Sequence, residues 1–398
     1  MLRLIHGLAG RSPTRAFSER LEPFKGSGAL ARGHNQICVA VIAVILFFVT
    51  SIPSTLAATV DEVVASEIEK HGISGVSLAI IANGKIIEAK GYGFTDKSKT
   101  TAVTTNTLFQ AGSISKPVAA LAALRLVEAG KLSLDDNVNQ FLKQWRVPEN
   151  EFTKDQKVTL RRILSHSAGL TVHGFPGYSV NSRCPSLRQV LDGSGPANTP
   201  AIRVDVVPGT LFRYSGGGYT VMQQLMIDVT GESFPELMRE SILTPLGMNA
   251  STFEQPLPPD RVGTAATGYN SNGKEVTGRW HIYPEMAAAG LWTTPSDLAQ
   301  FAISVQNGLS GKSNPAVSQS MIRQMLTVQK GHWGLGLLLS GHGKLLRFSH
   351  GGSDEGFDSS MMAYAESGQG VVIMINANDD SGVIGRIENA VRQQYHGP

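Results

Sequence analysis

The sequence predicts a mixed α/β (α+β) domain. One antiparallel sheet is drawn from both ends of the chain and flanked by helices, with a mainly helical region inserted between. Three observations predict it. A β-hairpin pattern around Asn83-Gly84 opens the body of the chain, short apolar runs separated by Gly-rich turns close it, and the strongest helical patterns lie between.

Each element has its own reason. Residues 59–72 (TVDEVVASEIEKHG) space their apolar side chains by three and four and end at Gly72, which predicts an amphipathic helix. The run GVSLAIIANGKIIEAKGYG follows, with Asn-Gly between two β-type segments; that pair suits the left-handed positions of a two-residue hairpin turn. Residues 117–130 (PVAALAALRLVEAG) predict a helix with Pro117 in its first turn and Gly130 at its end, apolar enough to be buried on most sides. Residues 131–215 are less regular. Further helices are predicted over 218–230, 234–243 and 296–306, the last capped by Ser296 with Asp297 in its first turn. WGLGLLLS, KLLRFSH, SSMMAYAE and GVVIMINAN then read as strands, and GRIENAVRQQY as a closing helix.

The 398 residues are 41% hydrophobic and 17% charged, which suits a large folded core and excludes a disordered chain. The net charge of +3 misleads. Residues 1–58 carry Arg3, Arg11, Arg15, Arg20, Lys25 and Arg32 against Glu19 and Glu22. The remainder lies within about one charge of neutrality, so composition makes no case for nucleic-acid binding.

Residues 37–49 (ICVAVIAVILFFV) form an apolar run preceded by basic residues and followed by small ones up to Ala57 and Ala58. It is shorter than the roughly 20 residues of a comfortable membrane span. The layout predicts an export signal over 1–58, with the mature domain over 59–398 in the periplasm or outside the cell. A retained anchor facing the periplasm is the rival, and only then would a membrane be a partner. Cys38 lies in this segment. Its removal leaves Cys184 without an intrachain partner, so no disulfide framework is implied.

The chemistry begins with FQAGSISKPVAA, where Ser113 opens the apolar helix and Lys116 follows three residues later. Positions i and i+3 share a helix face, so the amine can lie beside the hydroxyl. A serine hydroxyl is a poor nucleophile until a base takes its proton, and a lysine can be that base if its surroundings disfavour its charge. Ser-x-x-Lys alone is weak, since it recurs at Ser271–Lys274 in a turn-like stretch. The apolar context of Lys116 is what lifts the first copy.

These residues resemble the serine β-lactamase and penicillin-binding-protein superfamily, nearest its class C-like branch of β-lactamases, D-Ala-D-Ala carboxypeptidases, D-aminopeptidases and esterases. Ser113–Lys116 matches the first family element, Tyr214-Ser215 in PGTLFRYSGGGY matches the second, and His350-Gly351-Gly352 in RFSHGGSDEGF matches the third. Stretches 160–170, 242–252 and 287–301 resemble the family too, and the likeness spans about 60–395.

The resemblance implies an acyl-enzyme on Ser113, with Tyr214 and Lys116 shuttling the proton; which of them is the base stays open. It implies an oxyanion hole from the backbone N–H groups of Ser113 and Ser353. It also implies that Gly351 and Gly352 let the strand approach the substrate, and that His350 helps bind a substrate carboxylate or the leaving group. His166, in a stretch resembling a family motif, reads as structural. Asp354 and Glu355 border the third element, and a solvated turn explains them equally well. Position 216 departs from the family pattern: Gly216 stands where an asparagine commonly contacts the substrate amide. The substrate is then a small-molecule ester, β-lactam or peptide. A catalytically silent sensor or scaffold of the same fold is the alternative.

Other chemistries find no support. Gly311-Lys312-Ser313 lacks the upstream glycine of a phosphate loop, because position 306 is Gln306. No Gly-x-Ser-x-Gly elbow occurs, and the histidines are scattered with no metal-ligand spacing. No cofactor and no metal are expected.

Overall fold

The apolar runs at the two ends of the chain pair with one another. The computed structural model describes residues 58–395 and 397, so the predicted export segment, and Cys38 with it, lies outside the described residues apart from Ala58. Helix α1 (Val60–His71) is opened by Thr59, whose hydroxyl accepts from the Glu62 N–H while the Glu62 carboxylate reaches back to the Thr59 N–H. Strands β1 (Gly75–Ala82) and β2 (Lys85–Gly93) form the predicted hairpin, with Asn83 and Gly84 both at positive φ.

At the other end come β7 (Leu338–Ser340), β8 (Arg347–Asp354), β9 (Phe357–Tyr364) and β10 (Gly370–Ile375). The six strands make one antiparallel sheet in the order β2-β1-β10-β9-β8-β7, and β1 and β10, from opposite chain ends, lie side by side within it. Both are apolar on each face because both faces are covered. Val76, Leu78, Ile80, Val371 and Ile373 pack under α1 and the C-terminal helix α10 (Val383–Gln394). Ala79, Ile81, Val372 and Met374 face the larger core shared with the inserted region.

The insert contains α2 (Ser115–Glu128), α3 (Leu160–Leu164), α4 (Leu187–Asp192), α5 (Gly216–Thr230), α6 (Phe234–Met238), α7 (Met286–Ala289), α8 (Pro295–Leu309) and α9 (Gln319–Met325). Two small ladders tie it together: β3 (Phe109–Gln110) with β6 (Trp292–Thr293), and β4 (Tyr178–Ser179) with β5 (His281–Ile282). Helix α2 is buried nearly all round, as its apolar composition requires.

Several boundaries differ from the sequence reading, each for a local reason. Helix α5 starts at Gly216 rather than 218, because the Ser215 hydroxyl accepts from Gly218 N–H and caps it there. Helix α8 is capped by Thr294, not Ser296; the Thr294 hydroxyl accepts from Asp297 N–H. After α6 the backbone widens into a π turn over Arg239–Leu243 instead of continuing as α-helix. Only the end of WGLGLLLS is strand, since Leu335 and Gly336 spend their N–H groups on the carbonyls of Met325 and Leu164. The start of KLLRFSH belongs to a single 3₁₀ turn, so β8 begins at Arg347.

Candidate active site

Ser113 sits in a 3₁₀ turn, Gly112–Ile114, that runs directly into α2. The neighbouring Ser115 fixes this junction from behind. Its hydroxyl donates to Gly112 O at 2.6 Å and accepts from Leu291 N–H at 3.0 Å. Lys116, 2% exposed, turns back along the helix face, and its Nζ donates to Ser113 Oγ at 2.9 Å and to Ala288 O at 2.8 Å. That carbonyl belongs to α7, far from the serine along the chain. Two acceptors hold the amine against the hydroxyl.

Tyr214 lies just before α5, and its ring centre is 5.0 Å from Lys116 Nζ. His166 holds it there. Burial keeps this imidazole neutral, well below the ordinary histidine range. Its Nδ1 accepts from Ser215 N–H at 3.1 Å, its backbone carbonyl accepts from Arg213 N–H at 2.7 Å, and its ring stacks on Tyr214 at 4.1 Å. Both residues flanking Tyr214 are thus pinned by one histidine, at a backbone position with φ +53°. The reading of His166 as structural agrees with this; its contact with Tyr214 was not legible.

Strand β8 brings the third sequence element to the same place. A Cβ added to Gly352 would lie 1.9 Å from Ala111 O, and one added to Gly112 would lie 2.5 Å from Ser353 N. The strand and the serine turn therefore touch backbone to backbone, with Ser353 beside the residue preceding Ser113. Gly351 plays no such part: it is exposed, and a Cβ there meets nothing nearer than 3.8 Å. The close approach belongs to Gly352, and it is to the protein's own turn.

His350 lies buried on the same strand, its ring 6.2 Å from that of Tyr214. The Nδ1 atom lies 2.6 Å from Gly351 O, so it must carry the proton and donate it. Nε2 is then a bare acceptor, and among the described residues it has no partner. Burial, together with the charge of Lys116, depresses its pKa to about 3. In that state the ring presents an acceptor to the space beside it.

The acidic residues also separate. Asp354 is buried, not solvated, whereas Glu355 is exposed. Burial raises the Asp354 carboxyl well above the usual range, with Lys116 pulling the other way. Glu285, immediately before α7, is fully buried, and burial pushes its pKa up to about 8. Sequence reasoning missed it, as nothing in YPEMAAAG distinguishes a buried glutamate from a helix-capping one.

Gly216 is sealed from behind. Its N–H donates to His173 O at 2.9 Å, and a Cβ would meet the Phe175 ring at 3.0 Å. The His173 carbonyl oxygen lies equally near that Cβ, so Phe175 and His173 together crowd position 216. Two further aromatics escaped the sequence reading: Trp333 lies 5.8 Å from Tyr214 and 5.3 Å from His350, and Phe212 stacks on Trp333.

Known proteins share this arrangement of chain. The Beta-lactamase family model matches residues 57–394. Protein flp of Staphylococcus aureus (strain NCTC 8325 / PS 47) is 26% identical over 339 residues, 81% of this chain, which spans 63% of that relative's length. Penicillin-binding protein 4 of Amycolatopsis lactamdurans is 26% identical over 321 residues, covering 77% of this chain and 82% of its own. Among solved structures, the octameric penicillin-binding protein homologue from Pyrococcus abyssi superposes with a TM-score of 0.66 at 24% identity, covering 85% of this chain and 77% of that one. The β-lactamase/D-alanine carboxypeptidase from Pseudomonas syringae does so with a TM-score of 0.66 at 22% identity, over 84% and 97% of the two chains. With the sheet, the serine turn and the family match in agreement, the chain belongs to the Beta-lactamase family.

Proposed function

We propose that the protein is a serine hydrolase that cleaves a carboxylic ester through an acyl-enzyme on Ser113. The observation that carries this reading is the hydrogen bond between Lys116 Nζ and Ser113 Oγ at 2.9 Å, made in a buried setting at the mouth of α2. Ser113 Oγ attacks the carbonyl carbon, and its proton passes through Lys116 and Tyr214 to the departing oxygen. The N–H groups of Ser113 and Ser353 receive the developing oxyanion. Water then attacks the acyl-enzyme and the same pair returns the proton.

Ester is favoured over amide by Gly216 and Phe175. A donor at position 216 that could hold a substrate amide is missing, and the Phe175 ring crowds the place where its side chain would start. His350 supports the same choice, since its Nδ1 proton is taken by the Gly351 carbonyl and Nε2 is left as an acceptor, which suits an uncharged group better than the carboxylate of a D-peptide. Export of the 59–398 domain to the periplasm or beyond is part of the proposal, and N-terminal sequencing of the purified native protein tests it.

Intact-mass analysis after exposure to a fluorophosphonate, alongside turnover of short esters, nitrocefin and a D-Ala-D-Ala peptide, tests the chemistry. The expected result is one adduct and ester turnover, both lost in Ser113→Ala. Lys116→Ala should slow labelling by about a thousandfold, and Lys116→Arg should not rescue it, because a planar fork cannot copy a point donor. Labelling that persists unchanged in Ser113→Ala defeats the assignment.

A further inference from the structure

Beside the Ser113 site lies an apolar wall that neither the family elements nor the proton relay uses. Phe212 and Trp333 stack at 5.8 Å with their planes 18° apart. Trp333 reaches inward to Tyr214 and His350, while Phe212 leaves 39% of its surface open. Leu211, next in the same turn, is 43% exposed. Large apolar side chains left open at the edge of a reactive centre mark a surface that something apolar covers.

The position of the wall says which part of a substrate meets it. The tetrahedral carbon formed on Ser113 has four substituents. One is the serine oxygen, and one is the oxyanion, directed at the Ser113 and Ser353 N–H groups. The departing oxygen must face the group that returns the proton, on the side of Lys116 and Tyr214. Trp333 borders Tyr214, so the wall lies on the leaving-group side.

The charges around it say what that group is not. Arg213 is turned away, donating to Gly169 O at 2.6 Å and pairing with Asp205. Lys330 donates to Gly209 O at 2.9 Å. His350 presents only a bare Nε2. The two long cationic side chains here, Arg213 and Lys330, are thus both engaged with backbone carbonyls; the exposed His173 ring, 4.9 Å from that of Tyr214, is a further nitrogen base beside the site.

Building on the ester-hydrolase reading, we propose that Trp333 and Phe212 form the leaving-group subsite and that it takes an uncharged, bulky apolar alcohol. The substrates are then esters of such alcohols. The bond between Ser113 Oγ and the acyl carbon forms, the bond from that carbon to the alcohol oxygen breaks, and the serine proton ends on the alcohol, which leaves along the aromatic wall.

Two ester series test this. Acetates of primary alcohols from ethanol to hexanol lengthen the leaving group at nearly constant oxygen basicity, and ethyl esters from acetate to hexanoate lengthen the acyl group instead. The expected result is a kcat/KM that climbs at least about tenfold from ethyl to hexyl acetate, and less along the acyl series. In Trp333→Ala and in the more exposed Phe212→Ala, the hexyl-to-ethyl ratio should fall towards one, while Trp333→Phe keeps most of it. A flat alcohol series in the wild type overturns the subsite, as does a gain confined to the acyl series or a ratio that survives both alanine variants. Absence of turnover on every ester, with no Ser113 adduct, would instead remove the hydrolase reading on which the subsite rests.

Discussion

Gly352 on β8 passes the Ala111 carbonyl so closely that a single added Cβ would lie 1.9 Å from its oxygen. Ala111 immediately precedes the turn that carries Ser113, so this contact sets the spacing between that turn and the strand. Gly352→Ala must push the two apart by an ångström or more. We expect kcat/KM on a short ester to fall by at least about a hundredfold, since misplacement on that scale disrupts attack geometry. Gly351→Ala, whose Cβ meets nothing nearer than 3.8 Å, should cost at least about tenfold less. Equal losses in the two variants would show that strand spacing is not what matters.

His166 supports Tyr214 through a stacked ring and through Ser215 N–H. His166→Ala leaves that buried donor without an acceptor and the phenol ring without its neighbour. Loss of the acceptor costs about 1–3 kcal/mol of stability, measurable by urea unfolding. Turnover should fall through kcat, because the proton path is loosened, and KM should rise as well, because the His166 ring also packs edge-on against Phe212 and Trp333. A variant with lowered stability and unchanged kcat would reduce His166 to a packing role.

Glu285 gives the fold a pH dependence of predictable sign. Burial raises its pKa from 4.5 to about 8, so the folded state keeps the proton after the unfolded chain has lost it. Stability contributed by the protonated form is full below about pH 4.5 and is lost as pH climbs to about 8. Glu285→Gln cannot ionise and escapes this loss. Its unfolding free energy should exceed that of the wild type by a few kcal/mol at about pH 8, and by much less at about pH 5. A difference that does not change between the two pH values would show that the carboxyl is not titrating in the folded state.

Gly216→Asn should not confer amide cleavage on its own. The Cβ this variant introduces lies 3.0 Å from both the Phe175 ring and the His173 carbonyl oxygen, a crowding that constrains the new side chain. We expect D-Ala-D-Ala peptide hydrolysis to stay at background in the single variant and to rise only when Phe175→Ala is added. A double-mutant cycle on peptide kcat/KM reads the coupling directly. Additive effects would break the link between the two positions.

Much of the architecture was legible because local chemistry dictates it. Asn83-Gly84 fixes a hairpin whatever surrounds it, and the apolar run after Lys116 has no stable state except burial. Boundaries were less legible where a hydroxyl capping an N–H three residues on decides them, as Thr294 does for α8 and Ser215 for α5. The strand assigned to WGLGLLLS shrank to its last three residues because the N–H groups before them find carbonyls on other elements, which periodicity cannot reveal.

By itself the sequence determined the sheet-and-insert layout and the pairing of Ser113 with Lys116, since a three-residue spacing at a helix start leaves hydroxyl and amine on one face. Tertiary structure decided everything that depends on segments meeting. It set Ala288 O against the lysine, the His166 ring on Tyr214, Phe175 against Gly216, and Trp333 with Phe212 along the outer edge. It also fixed the charges of His350 and Glu285, because protonation follows burial and neighbouring charge, and neither can be read from the order of residues along the chain.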